Sequence, residues 1–300
     1  MTEIAFLDED TVRRVLRYDD LIPAMATALA DLSAGRVVQP VRSIVPVAEH
    51  HGFFGVMPAY AGALGAKLVT FYPENRGLHT HHALILLFRA ETGEPLAVID
   101  GRLITEMRTA AASAVATDRL ARPDATVLAL LGAGVQARSH LAALTQVRRF
   151  DDVRVWSPRS AAAFAREHGV TAAATAEEAV RGADVVVVAT SATAPVLQGA
   201  WLAPGTHVNA VGACRPDWRE LDDELLRRAR IVVDSRDAAL VESGDVIAAG
   251  RVDAELGEIV AGTALGRRDA GEITLFKSLG VAVEDVVAAA LTLARSCGTS

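Results

Sequence analysis

The sequence predicts an α/β protein, a doubly wound parallel sheet preceded by a smaller α+β domain. Three observations carry this expectation. From Thr126 onward, short continuous Val/Ile/Leu runs alternate with helical stretches, as in parallel strands covered on both faces. Before Arg122 the texture differs, with two capped helices followed by closely spaced β-rich runs. The 300 residues, 51% apolar and 22% charged, are long and hydrophobic enough for two cores, which excludes a disordered, collagen-like or coiled-coil chain.

Taken in order, Asp8 caps a first helix whose Val12, Val15 and Leu16 share one face. A second helix starts at Asp19-Asp20 and stops at Gly35, a C′ glycine. Strands are expected over 41–47, 53–57, 66–72 and 82–88, and the turn Glu91-Thr92-Gly93-Glu94 joins the last of these to a strand over 95–99. An Ala-rich helix covers 104–120, and Arg122-Pro123-Asp124 is a turn. Beyond it, strands over 126–131, 153–156, 184–189, 207–211 and 231–233 alternate with helices over 135–145, 161–168 and 176–181. A last helix, 283–296, follows the turn Lys277-Ser278-Leu279-Gly280. The domain boundary is therefore placed near Arg122, giving 1–121 and 122–282. No internal repeat or low-complexity tract interrupts this order.

A net charge of −7 argues against a nucleic-acid partner, which calls for a basic face. Two cysteines, Cys214 and Cys297, cannot build a disulfide framework, so a reducing cytoplasm is expected. The acidic first residues do not read as a signal peptide, and no apolar run approaches the ~20 residues that span a bilayer.

Gly132-Ala133-Gly134-Val135-Gln136-Ala137 directly follows an apolar strand and opens a helix, which is the context of a Rossmann-type dinucleotide fingerprint. Gly132 permits the tight turn and Gly134 admits a pyrophosphate. Ala137 keeps helix and strand close, and the helix start at Val135 and Gln136 presents N–H groups to phosphate. An NAD enzyme usually carries Asp or Glu after the second strand; here Trp156 leads into Ser157-Pro158-Arg159-Ser160. A hydroxyl and a guanidinium suit a 2′-phosphate, so NADPH is expected in preference to NADH.

Two ordered blocks resemble the ornithine cyclodeaminase/mu-crystallin family: the run from Gly101 to Ala114 and the stretch Leu131-Gly132-Ala133-Gly134-Val135-Gln136-Ala137. The run from Asn209 to Leu221, containing Cys214-Arg215-Pro216-Asp217-Trp218, is similar to its mu-crystallin branch, that of the ketimine reductases, as are Glu242-Ser243-Gly244-Asp245-Val246 and Phe276-Lys277-Ser278-Leu279-Gly280. The resemblance runs from about Gln39 onward. It implies a homodimer paired through the non-Rossmann domains, a last helix (283–300) that returns to the first domain, and hydride transfer at the α-carbon of an amino or imino acid.

By the same resemblance, Arg42, Lys67 and Arg108 sit at the substrate, with Lys67 and Arg108 taken as catalytic. Three cations suit a small carboxylate, with the arginines capable of bidentate contact. Thr80 and His81 match a pair near the nicotinamide, Thr80 on the cofactor side and His81 on the substrate side. Thr190, Val211 and Ser278 match cofactor-lining positions, and Glu242 a position in the substrate pocket. No metal is expected, because adjacent His81 and His82 point to opposite faces of a strand. Cyclodeaminases carry an aspartate where Cys214 stands, which counts against ornithine cyclisation; a packed small side chain is the expected role of the thiol. The expected activity is reduction of a cyclic ketimine carboxylate of the pyrroline- or piperideine-2-carboxylate kind. The alternatives are an alanine or N-alkyl amino acid dehydrogenase, a cyclodeaminase, or a non-catalytic NADPH-dependent binder of a small ligand.

Overall fold

The computed structural model describes residues 4–298. The chain forms two compact units, Met1–Arg108 with Gly280–Ser300, and Thr109–Leu279.

The first unit opens with β1 (Ala5–Leu7), α1 (Glu9–Val15) and α2 (Tyr18–Ser33). Asp8 caps α1 by accepting from Thr11 N at 2.9 Å. The second helix departs from expectation at its start: Arg17 is the N-cap and makes no side-chain cap, while Asp19 and Asp20 lie in the first turn and complement its dipole. Next come β2 (Ser43–Val47), β3 (Gly52–Ala61), β4 (Ala63–Phe71), β5 (His81–Phe88), β6 (Pro95–Asp100) and α3 (Gly101–Leu120). These strands form a six-stranded sheet in the order β1-β6-β5-β4-β3-β2, antiparallel except where β1 joins β6. β1 was not foreseen, since three residues are too short to show alternation.

Alternation sets the two faces of this sheet. Met57, Ala59, Ala83, Ile85, Leu87, Ala97 and Ile99 are buried, and the last helix of the chain, Ala282–Ser296, packs on this face across β3, β4 and β5 and against α2. That helix is apolar nearly all round, as a core helix should be. Gly65 on β4 leaves room for Val286 and the backbone of Leu86.

The second unit takes in the later part of α3 and then β7 (Val127–Leu131), α4 (Val135–Val147), β8 (Asp152–Trp156), α5 (Ala161–His168), β9 (Thr171–Ala172), α6 (Ala176–Val180), β10 (Val185–Val188) and β11 (His207–Ala210). α7 (Asp223–Arg228), β12 (Arg230–Val233), α8 (Arg236–Glu242), α9 (Gly244–Ala249), β13 (Ala254–Glu255), α10 (Leu256–Val260) and β14 (Thr274–Lys277) complete it. All eight strands are parallel, in the order β13-β12-β14-β11-β10-β7-β8-β9. The order reverses between β7 and β10, where doubly wound sheets open a crevice at the carboxyl ends of the strands. β14 and the short helices α7 to α10 lie in a stretch where the sequence shows no sustained period.

The division between units falls inside α3 at Arg108/Thr109, not at the turn at Arg122. Two buried side-chain bonds explain this: His140 bonds Ser113 at 2.9 Å and Asn209 Nδ2 donates to Thr117 at 2.9 Å, tying the later turns of α3 to the parallel sheet. No helix among the described residues is long and apolar enough to cross a membrane.

Candidate active site

In the first unit, β4 pairs Lys67 with Met57 and Ile85, both on the buried face, so the lysine stem runs into the core. Its Nζ meets Asp285 Oδ2 at 2.6 Å. Arg108, on α3, donates from Nε to Asp285 Oδ1 at 2.9 Å and from a terminal nitrogen to Glu284 Oε2 at 2.7 Å. Both carboxylates are fully buried in the first turn of the last helix. Arg42 donates to the carbonyl of Gly280 at 2.8 Å, and Gly280, at φ +73°, lies so close under the Arg108 guanidinium that a side chain would not fit. Arg42, Lys67 and Arg108 thus gather at one place.

The carboxylates there were not anticipated. Asp285 faces both Lys67 and Arg108, and Glu284 faces Arg108 as well. Burial pulls the Lys67 pKa down to about 8, with Arg108 and Arg42 adding to the effect and Asp285 opposing it. Burial would raise Asp285, but Arg108 and Lys67 outweigh it and hold the carboxyl below its ordinary range. His81, at the head of β5, is pushed down to about 4 by burial and by the charges of Lys67 and Arg108, so it is a neutral imidazole at pH 7. His82, its neighbour, is exposed, and no cluster of His, Cys, Asp and Glu suited to a metal occurs among the described residues.

In the second unit, Gly132 follows β7 with φ +109°, and the carbonyl of Ala189 occupies the space a Cβ would need. Only glycine meets both demands. Gly134 is the N-cap of α4; no side chain caps this helix, and a Cβ at Gly134 would face open space. An uncapped helix start with room before it fits a dinucleotide pyrophosphate. Val135 is exposed, and Gln136 lies in the same first turn. Ser157 follows β8 and its hydroxyl is 3.0 Å from that of Ser160, with Arg159 exposed beside them. Thr190 follows β10, Val211 follows β11, and Ser278 follows β14. Ser278 is buried with its hydroxyl donating to Asp234 at 3.3 Å.

Two expected site residues are carried by the other unit from their assigned companions. Glu242 ends α8 in the second unit, whereas the cation cluster belongs to the first; Thr80 is an exposed residue of the first unit, whereas the fingerprint belongs to the second. Cys214 is half-buried against the second core, its thiol directed at the carbonyls of Val211 (3.5 Å) and Ser278 (3.9 Å). A thiol can donate to these acceptors; an ionised carboxylate could not. Glu284 and Asp285 escaped the sequence reading because acidic residues in a helix's first turn read as dipole complements. The usable signal was two adjacent carboxylates directly ahead of an unbroken apolar run from Val286 to Leu291.

Residues 2–298 match the ornithine cyclodeaminase/mu-crystallin family. Ketimine reductase mu-crystallin of Mus musculus is 50% identical over 301 residues, covering 96% of both chains. The structure of Thermococcus litoralis Delta(1)-pyrroline-2-carboxylate reductase in complex with NADH and L-proline superposes with a TM-score of 0.94 at 40% identity, covering 98% of each chain. An archaeal alanine dehydrogenase dimer with bound NAD also superposes at 0.94, with 34% identity and coverage of 99% of this chain and 97% of that one. With the parallel sheet, the glycine turn and the clustered cations already in place, a match that spans nearly the whole chain leaves one assignment: the chain belongs to the ornithine cyclodeaminase/mu-crystallin family.

Proposed function

We propose that this protein is an NAD(P)H-dependent reductase of cyclic imines that carry a carboxylate on the imine carbon, of the pyrroline- or piperideine-2-carboxylate kind. The observation that carries the proposal is the convergence of Arg42, Lys67 and Arg108, three cations from separate elements, around Asp285, Glu284 and the Gly280 carbonyl. Cations so gathered suit a small carboxylate, and charge-assisted hydrogen bonds from the arginines fix its plane. Lys67 and Arg108 are the groups assigned to catalysis; Asp285 holds both in place. When bound, the nicotinamide supplies the hydride. At pH 7 His81 is neutral and is not an imidazolium donor; a protonated imine is the better electrophile, and hydride addition to its carbon leaves a secondary amine. The chain's work is orientation and electrostatics.

Ser157 and Arg159, with no carboxylate after β8, support NADPH over NADH. A homodimer formed on the outer face of the first unit's sheet is supported by exposed apolar side chains on that face, Phe6, Leu84 and Val45, which are 70%, 42% and 54% exposed. The similarity to a dimeric alanine dehydrogenase points the same way. The acidic composition and the absence of a disulfide suit a cytoplasmic setting. That same similarity favours a second reading, in which an open-chain oxo acid and an amine are the substrates.

The experiment is steady-state oxidation of NADPH and NADH with pyrroline-2-carboxylate, piperideine-2-carboxylate, pyruvate plus ammonium, and pyruvate plus methylamine. The cyclic imines are expected to have the highest kcat/KM, with NADPH preferred. Faster turnover of pyruvate with either amine establishes the second reading. Tight NADPH binding without turnover on any of them makes the protein a binder.

A further inference from the structure

We propose that Glu220 is a positioning residue for the nicotinamide cofactor, a single carboxylate that holds together the two backbone segments leaving β10 and β11. The proposal rests on the cofactor assignment above and deepens it.

The carboxylate of Glu220 is fully buried in the second unit. Its Oε1 accepts from the Thr190 amide at 2.9 Å and the Thr190 hydroxyl at 2.6 Å; its Oε2 accepts from the amides of Gly212 at 2.7 Å and Ala213 at 3.0 Å. Four donors use the roughly four lone-pair sites a carboxylate has. Thr190 stands just past β10, and Gly212 and Ala213 just past β11, which are neighbouring parallel strands. The main chain of Glu220 takes part as well, because its carbonyl accepts from Val196 at 2.9 Å and Leu197 at 3.1 Å. The segment from Thr190 to Leu197 is therefore gripped at both ends by one residue.

Glu220 is itself held. Its amide and that of Leu221 both donate to Asp245 Oδ1 at 3.1 Å. The Lys277 ammonium, on β14, lies 3.5 Å from Asp245 and 4.0 Å from Glu220. At Gly212 a Cβ would collide with the Glu220 carboxylate and with the carbonyl of Thr190, so the glycine is a condition of this arrangement. Both gripped segments sit at carboxyl ends of strands, on the side where the Gly132 turn follows β7 and where a doubly wound sheet receives its dinucleotide. A carboxylate with every acceptor site already used has no capacity left for chemistry. Its effect is to fix where the Thr190 and Val211-Gly212 backbones stand, which carries over to cofactor affinity through geometry alone.

The test is NADPH affinity, read from the fluorescence of the bound nucleotide without substrate, so that an error in the substrate class does not touch the result. Glu220→Gln keeps the side-chain shape but places an NH2 against two donors. It is expected to raise the NADPH Kd at least tenfold while the KM for imine at saturating NADPH changes less than threefold. Glu220→Asp, which keeps the charge, is expected to fall between it and the unmodified protein. Leu225→Ala, a core truncation in the same unit, serves as the control: its Tm falls but its NADPH Kd stays within twofold. A Glu220→Gln Kd within twofold of the unmodified protein overturns the proposal, as does a loss of affinity no larger than in Leu225→Ala at matched Tm. Should Glu220→Gln not fold, Gly212→Ala takes its place, and an unchanged Kd there overturns the proposal equally. An unmodified protein that binds no NADPH defeats the cofactor assignment itself.

Discussion

Each unit buries one lysine among carboxylates, and the two lysines are driven in opposite directions. Lys67, in the first unit, is lowered to about 8 by burial together with Arg108 and Arg42, against Asp285. Lys277, in the second, is equally enclosed and burial lowers it too, yet Cys214, Asp245 and Glu220 raise it above its ordinary value. Desolvation is common to both; the company each lysine keeps decides the sign. Where other cations stand beside the lysine, as Arg108 and Arg42 do beside Lys67, they add to burial and lower it. A cluster whose cation is already matched is closed, and its task is to hold backbone.

The largest effect should come from breaking the first cluster at its centre. Asp285→Asn removes the charge that faces both Lys67 and Arg108, and loss of one partner from a buried ion network costs about 3 kcal/mol or more. The urea midpoint should fall accordingly, and an unchanged midpoint would mean that the two cations are compensated elsewhere.

Lys67→Met sharpens the contrast by removing the first unit's buried ammonium. Losing a charged hydrogen bond of about 1.5–3 kcal/mol lowers kcat/KM for the imine about 10- to 100-fold, with the NADPH Kd within twofold of its starting value. Full activity at low substrate would show that the carboxylate docks elsewhere. The same lysine sets a pH dependence. In the ligand-free protein its pKa of about 8 lies below the ordinary 10.5, so the unfolded chain holds more protons between these values and stability rises with pH across that window. Substrate binding runs the other way, because the carboxylate favours the ammonium. Above about pH 8, kcat/KM should fall by up to tenfold per pH unit, and Lys67→Arg should abolish that bend. A bend that survives the arginine variant belongs to the substrate imine.

The smallest effect is expected at the second unit's surface. Arg159 is exposed, so Arg159→Asp should weaken NADPH about tenfold and leave NADH nearly unchanged, as nucleotide titrations would show. An equal loss for both nucleotides would assign Arg159 to the shared part of the cofactor.

The contrast also marks what the sequence could and could not disclose. The parallel sheet was legible because β7 and β10 are uninterrupted Leu/Ala and Val runs, and the crevice because Gly132, at φ +109°, has a local conformational reason to be glycine directly after β7. Arg42, Lys67 and Arg108 could be singled out only through resemblance, since no periodicity relates residues so far apart in the chain. Their partners were hidden for the same reason: Asp285 reaches Arg108 across 177 positions, and Thr190 and Glu220 are 30 apart. Local pattern reports on elements, whereas charge pairing is made by topology. The turn that ends α3 is a local signal, whereas the bonds from Ser113 and Thr117 that tie the later turns of that helix to the second unit are made by topology.

The second unit is one continuous stretch, while the first is assembled from two segments that flank it in the chain. On a ribosome the parallel sheet can close as soon as its own residues have emerged, but Lys67 and Arg108 must wait for Asp285, made after that whole sheet. Until then two cations destined for the core have no counter-charge and remain hydrated. Synthesis halted before Ala282 leaves that unit without Asp285 and without the helix that covers β3, β4 and β5, so the buried face of those strands stays exposed to chaperone and protease alike.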